Sequence, residues 1–160
     1  MSQSVVAEQS AAFEGMKADL GDDDVLSRAA EVIVPFGKLV VLGTNKDLQC
    51  NLPASAGDVT TAGLQLGVAV ASHGLESKPS LSGAQYAAKD MVSVLHKGRC
   101  YVKVEASVVP SDVVVVRHAA GGLGVGSFSK TADGSHAALG NARYLSSASA
   151  NGLALLEVDL

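Results

Sequence analysis

The sequence predicts a mainly β protein, a compact antiparallel β-barrel or sandwich of short strands preceded by an extended or partly helical N-terminal arm. Three observations point there. Arg99-Cys100-Tyr101-Val102-Lys103-Val104-Glu105 alternates, with Cys100, Val102 and Val104 on one side and Tyr101, Lys103 and Glu105 on the other. Leu156-Glu157-Val158-Asp159-Leu160 alternates again, and a period of two marks a half-buried strand. The apolar runs are short, broken by glycine, serine and alanine, and no helical segments alternate with them, which argues against a βαβ plan.

The arm comes first, as residues 1–25, ahead of one β domain at 26–160. Val5, Val6, Phe13, Met16 and Leu20 are set among polar residues. Phe13, Met16 and Leu20 have helical spacing, and Gly21 would stop such a helix. Two readings stand: a short helix on the domain's own core, or an arm reaching a neighbouring subunit. The acidic run Asp22-Asp23-Asp24 lacks the alternating ligands and final Glu of a calcium loop and reads as a solvated turn or helix end.

Val32-Ile33-Val34-Pro35 and Lys38-Leu39-Val40-Val41-Leu42 are strand patterns split at Pro35-Phe36-Gly37. Pro35 cannot donate to a ladder, so it belongs at a strand end, bulge or edge. Gly43 to Asp47 signals a turn, and Pro53 to Gly57 reads as loop. Leu64 to Ala71 alternates. Ser77 to Ala88 is polar and small and reads as an irregular crossover. Met91 to His96 is followed by Lys97-Gly98 and then the strand from Arg99, which predicts a hairpin over 91–105. Val108 to Asp112 turns the chain. Val113-Val114-Val115-Val116 predicts a strand buried on both faces or central in its sheet. Ala119 to Gly126 reads as a mobile glycine-rich loop. Phe128, a turn at Asp133-Gly134, and strands around Arg143-Tyr144-Leu145 and Leu153 to Leu160 complete a set of about seven to nine short strands.

Composition limits the function. Of 160 residues, 48% are hydrophobic, enough for a core, but only 18% are charged, which suggests a surface partly covered by a partner. A net charge of -4 with scattered Lys and Arg argues against nucleic acid. The longest uncharged run, Val59 to Leu75, holds Thr, Gln, Ser, His and glycines, so no membrane span is expected. Met1 to Ser4 lacks a basic n-region and Glu8 interrupts the apolar stretch behind it, so Cys50 and Cys100 are expected to be reduced, buried thiols.

The chemical motifs fail in turn. Gly121-Gly122-Leu123-Gly124-Val125-Gly126 lacks the third glycine of a dinucleotide fingerprint, since Ser127 stands there, and no helix comes after it. Ser129-Lys130-Thr131 lacks the glycine of a P-loop. His73, His96, His118 and His136 form no ligand pair, and neither cysteine has a CxxC partner. There is no GxSxG elbow, and Glu157 and Asp159 read as a solvated face. No catalytic residue, metal or cofactor is expected.

Met91-Val92-Ser93-Val94 through Gly98-Arg99-Cys100-Tyr101-Val102-Lys103-Val104 resembles the central hairpin of the structural cement proteins of tailed bacteriophages. So does the step Val109-Pro110-Ser111-Asp112-Val113, where Ser111 replaces the family's usual glycine. The ending, Ala142-Arg143-Tyr144-Leu145 to Gly152-Leu153 and Leu160, resembles its closing strand, and Gly67 to Ala71 fits an earlier one. The resemblance covers roughly 29–160. It implies a virion structural protein, made in the host cytoplasm, that decorates the outer surface of an icosahedral capsid, bridges neighbouring major capsid proteins, and assembles with itself as a homotrimer. On that reading Val5, Val6, Phe13, Met16 and Leu20 are the capsid contacts of the arm. A different class, a small glycan- or ligand-binding β module of a virion spike or tail, has against it the absence of Trp and an aromatic content of 4%.

Overall fold

The computed structural model of the chain describes residues 12–18, 23–72 and 84–160. The strands, in chain order, are β1 (Asp24–Ala30), β2 (Val34–Pro35), β3 (Leu39–Leu42), β4 (Gln49–Asn51), β5 (Gln65–Ala69), β6 (Gln85–Tyr86), β7 (Met91–Lys103), β8 (Val115–Arg117), β9 (Phe128–Ser129), β10 (His136–Ala138), β11 (Ala142–Tyr144) and β12 (Leu153–Asp159), with a short helix α1 (Ala56–Thr60) between β4 and β5. Five of them close on themselves. β1 pairs with β4, β4 with β3, β3 with β5, β5 with β7, and β7 returns to β1. Only the β1–β4 pair is parallel. The barrel therefore has no free edge around its ring. β7 runs on past the ring to pair with β12, and β12 with β11. A separate sheet has the order β10-β8-β9, and β2 pairs with β6.

The hairpin expected over 91–105 is absent. β7 is one unbroken strand of 13 residues. Its first half pairs with β1 and its second half with β12, and the change of partner falls at Lys97-Gly98. Gly98 has φ +136°, and a Cβ there would lie 2.9 Å from Asp23 Cβ and 3.1 Å from Leu95 Cδ1. Glycine between two apolar runs here marks a change of partner within one strand rather than a reversal of the chain.

Two other expectations are adjusted. The stretch read as loop from Pro53 ends in α1, which begins at Ala56. Its N-cap Ser55 Oγ accepts from the Asp58 N–H, and the Asp58 carboxylate accepts from the Ser55 N–H at 2.9 Å, a reciprocal capping box. The run from Val32 forms strand only at Val34–Pro35; Val32 and Ile33 lie exposed in a bend. The four valines behave as expected only in part: Val115 and Val116 lie in the central strand of their sheet and are buried, Val114 is buried just ahead of it, and Val113 lies outside the strand and is exposed.

Two apolar clusters explain why β3 and β5 are apolar on both faces. Val40, Leu66 and Ala69 pack in one cluster with Ala30, Val34, Phe36, Cys50, Tyr86, Val92 and Val94. Leu39, Val41, Val68 and Val70 pack in the other, with Val59 of α1, the second half of β7, β12 and the β8–β10 sheet. Phe36 and Tyr86 meet edge to face, 5.1 Å between centroids, and Tyr86 Oη donates to Val70 O at 2.6 Å. Cys50 and Cys100 are free and buried, one in each cluster, and burial pushes their thiols up to about 11 and about 12.

Candidate functional site

The described part of the arm is tied to the barrel. Residues 14–18 lie along β7 as an added strand. Gly15 N–H donates to Tyr101 O (2.8 Å), Tyr101 N–H to Met16 O (2.9 Å), and Ala18 N–H to Arg99 O (3.0 Å). On the opposite side Ala71 N–H donates to Gly15 O at 2.8 Å. The strap therefore bridges β7 and the end of β5. Lys17 stands opposite Cys100 in antiparallel register and forms an ion pair with Asp23. There is no helix within 12–18, contrary to the helical spacing, because Gly15 takes φ +82° and the chain then runs extended.

Beneath the strap lies a buried lysine. Lys38 is 4% exposed, and its Nζ donates to Glu14 Oε1 (2.8 Å) and to Ser127 Oγ (3.0 Å), Ser127 being fully buried. An ammonium out of water requires such acceptors. Gly15 and Gly37 meet back to back. A Cβ on Gly15 would lie 2.9 Å from Gly37 N and from Phe36 Cβ, and one on Gly37 would lie 2.3 Å from Glu14 Cγ.

A second polar cluster pins the β8–β10 sheet. Alternation along β7 places Glu105 on the solvent side with Tyr101 and Lys103, but the loop 119–126 folds over it. Its carboxylate accepts from Arg117 Nε (2.7 Å), Arg117 Nη2 (2.9 Å) and Leu123 N–H (2.9 Å), and it meets His136 Nε2 at 2.8 Å. His136 Nδ1 in turn meets Asp133 Oδ1 at 2.8 Å. Burial raises the Glu105 carboxyl, but hydrogen bonds from Arg117, His136 and Leu123 outweigh it and hold it at about 2. Asp133 is likewise held low, first by His136 and then by the Ser135 N–H. The loop expected to be mobile is bonded to β8 and within itself. Gly126 N–H donates to Arg117 O (2.8 Å), and Gly124 N–H to Gly121 O (2.9 Å). A Cβ on Gly122 would lie 2.3 Å from Glu105 Oε1, so the loop must be this rich in glycine to close over the carboxylate. No sequence motif announced the cluster; its members are up to 31 residues apart.

The outer face of β7, β12 and β11 carries a charge row. Glu157 accepts from Arg99 Nε (2.9 Å) and Arg143 Nε (2.7 Å), its cross-strand neighbours. Asn141 to Arg143 and Glu157 to Asp159 line an open groove of about 450 Å³. Among the described residues no group of three or more His, Cys, Asp or Glu side chains is placed to hold a metal ion, and no helix is long and apolar enough to cross a membrane.

Of the predicted contact residues, Phe13 is 39% exposed and Met16 half-buried. Val5, Val6 and Leu20 lie outside the described residues, as do His73 and most of the crossover from Ser77. His96 Nδ1 faces Leu66 O at 2.8 Å, and His118 comes directly after β8 with its N–H on Ser135 O.

A family model described as structural cement protein (E217 gp24/Pam3 gp6) matches residues 1–159. The chain belongs to the structural cement protein family. No curated protein sequence matches it. Among solved structures, a chain from the capsid of Myoviridae phage XM1 shares the fold with a TM-score of 0.71 at 15% identity, covering 99% of the cement protein and 97% of that chain. The cement protein is thus a structural component of the virion capsid, as the hairpin-region and C-terminal resemblance implied.

Proposed function

We propose that this cement protein decorates the outer surface of an icosahedral phage capsid as a homotrimer and bridges neighbouring major capsid proteins through its N-terminal arm. The observation that carries this reading is the fixed point from which the arm departs. Residues 14–18 are bonded to β7 and to the end of β5, so the segment ahead of them starts from a defined place on the barrel. Val5 stands seven residues before Ala12, a maximum span of about 23–25 Å. Val5 and Val6 fall within that reach, with Phe13 and Met16 at its root and Leu20 just past the strap. An extended arm that adds to a strand edge gains main-chain hydrogen bonds at each contact. Repetition over a symmetric shell multiplies modest contacts by avidity.

Deleting residues 2–11 leaves the strap in place and tests the arm alone. Melting is expected to stay unchanged while co-sedimentation with mature capsids weakens about tenfold or more. Undiminished binding would remove the arm. Particles lacking the protein that resist heat and osmotic shock as well as intact ones would remove the decoration reading, and the mass in solution tests the trimer.

A further inference from the structure

We infer that the groove holding residues 14–18 is a selective strand-acceptor site for an extended peptide bearing a carboxylate followed by glycine, with the chain's own Glu14-Gly15 as its resident ligand. Three features define the site. The first is main-chain and indifferent to sequence: Tyr101 offers both N–H and C=O, Arg99 its C=O, and Ala71 its N–H. The second is the buried Lys38 ammonium, held by Ser127 Oγ and completed only by the Glu14 carboxylate. An apolar residue there would leave a buried cation short of its counter-charge. The third is the back-to-back contact of Gly15 and Gly37, where any side chain at position 15 meets Phe36 Cβ and the Gly37 backbone.

Position 14 therefore selects an acid and position 15 selects glycine. Asp133-Gly134 is the one other acid–glycine pair in the sequence, and Asp133 is already engaged by His136. Slipping the strap by one residue would set Phe13 or Gly15 against Lys38, so the same groove fixes the register of the whole arm. Outside these two positions the demand is loose: Met16 and Ala18 are half-buried, and Lys17 pairs with Asp23. The inference concerns the free chain and stands apart from the decoration reading.

The test uses full-length Gly15→Val, which expels the resident segment, and a fluorescent peptide of residues 12–18, with circular dichroism to report the fold. The peptide is expected to bind this variant about tenfold or more tighter than it binds the wild-type chain, whose groove is filled. It should also bind about tenfold or more tighter than the same peptide carrying Glu14→Leu. Equal binding of the two peptides, or no binding to a folded Gly15→Val chain, overturns the inference. Where Gly15→Val does not fold, full-length Glu14→Leu decides. Amide exchange at Gly15, Ala18 and Tyr101 is expected to accelerate about tenfold or more while Val102 keeps its protection. Unchanged exchange at those three amides overturns the inference. Neither measurement involves a capsid, so its failure is distinguishable from failure of the decoration reading.

Discussion

Glu105 and Glu157 are both gripped from two sides, Glu105 by Arg117 and His136, and Glu157 by Arg99 and Arg143. The distances are nearly the same. The surroundings are not. The Glu105 and Arg117 side chains are 12% and 13% exposed, whereas Arg99 and Arg143 are 47% and 67% exposed. The connectivity differs as well. Glu105 ties the end of β7 to β8, to β10 and to the glycine-rich loop, elements that share no ladder with β7. Glu157 joins β12 to two strands with which it is already paired. One set of contacts builds tertiary structure, and the other decorates a sheet that hydrogen bonds have already formed. Similar ion-pair geometry should therefore carry very different weight, because desolvation makes a broken buried pair costly while water and salt screen an exposed one.

The largest expected effect comes from breaking the buried side. Arg117→Met keeps the bulk of the side chain but leaves Glu105 under the loop without its bidentate partner. A loss of about 3–5 kcal/mol is expected, from the cost of leaving one member of a buried pair uncompensated. Urea denaturation at pH 7 measures it. A loss below about 1 kcal/mol would place Glu105 in the same class as a surface pair and erase the contrast.

Acid sharpens the same contrast. The Glu105 carboxyl is held at about 2, below the 4.5 of an unperturbed glutamate. A carboxyl depressed in the folded state binds its proton more readily when unfolded. Its contribution is complete above about pH 4.5 and is lost as pH falls toward 2. The urea midpoint of the wild-type chain is expected to drop through that window, and Glu105→Gln is expected to flatten the drop. An equally steep drop in Glu105→Gln would assign the acid sensitivity to Glu31, Asp133 and Glu157, whose carboxyls are also held low.

The contrast also marks what could be read in advance. Period-two alternation located the second half of β7 and of β12, and the last two of the four consecutive valines begin the central strand β8, because both signals are local. Gly98 does not give a hairpin, because a glycine between two apolar runs is the same string in a hairpin and in a continuous strand that changes partner. Only the pairing partners, β1 on one side and β12 on the other, tell them apart. Alternation put Glu105 in solvent because parity describes the strand alone, and the loop that covers it arrives from residues 119–126. The strap was invisible for the same reason. Glu14, Lys38 and Ser127 meet across separations of 24 and 89 residues, and a lysine at the head of an apolar strand ordinarily points to water. The Ser55 and Asp58 capping box was a local signal that could have found α1.

The smallest effect is expected on the exposed side. Glu157→Gln removes the carboxylate charge from the row Arg99–Glu157–Arg143 but keeps a side chain of the same shape and one acceptor oxygen. Both arginines remain solvated, so neither is left with an unpaired buried charge. The β12 ladders to β7 and β11 do not depend on the side chain. A change within about 1 kcal/mol is expected at low ionic strength, and it should vanish in about 0.5 M salt as screening removes the remaining attraction. Urea midpoints of both chains at the two salt concentrations measure this. A difference that survives high salt would mean that the outer row is held by geometry rather than charge, and that β11, the last strand of the sheet, needs Glu157 to stay in register.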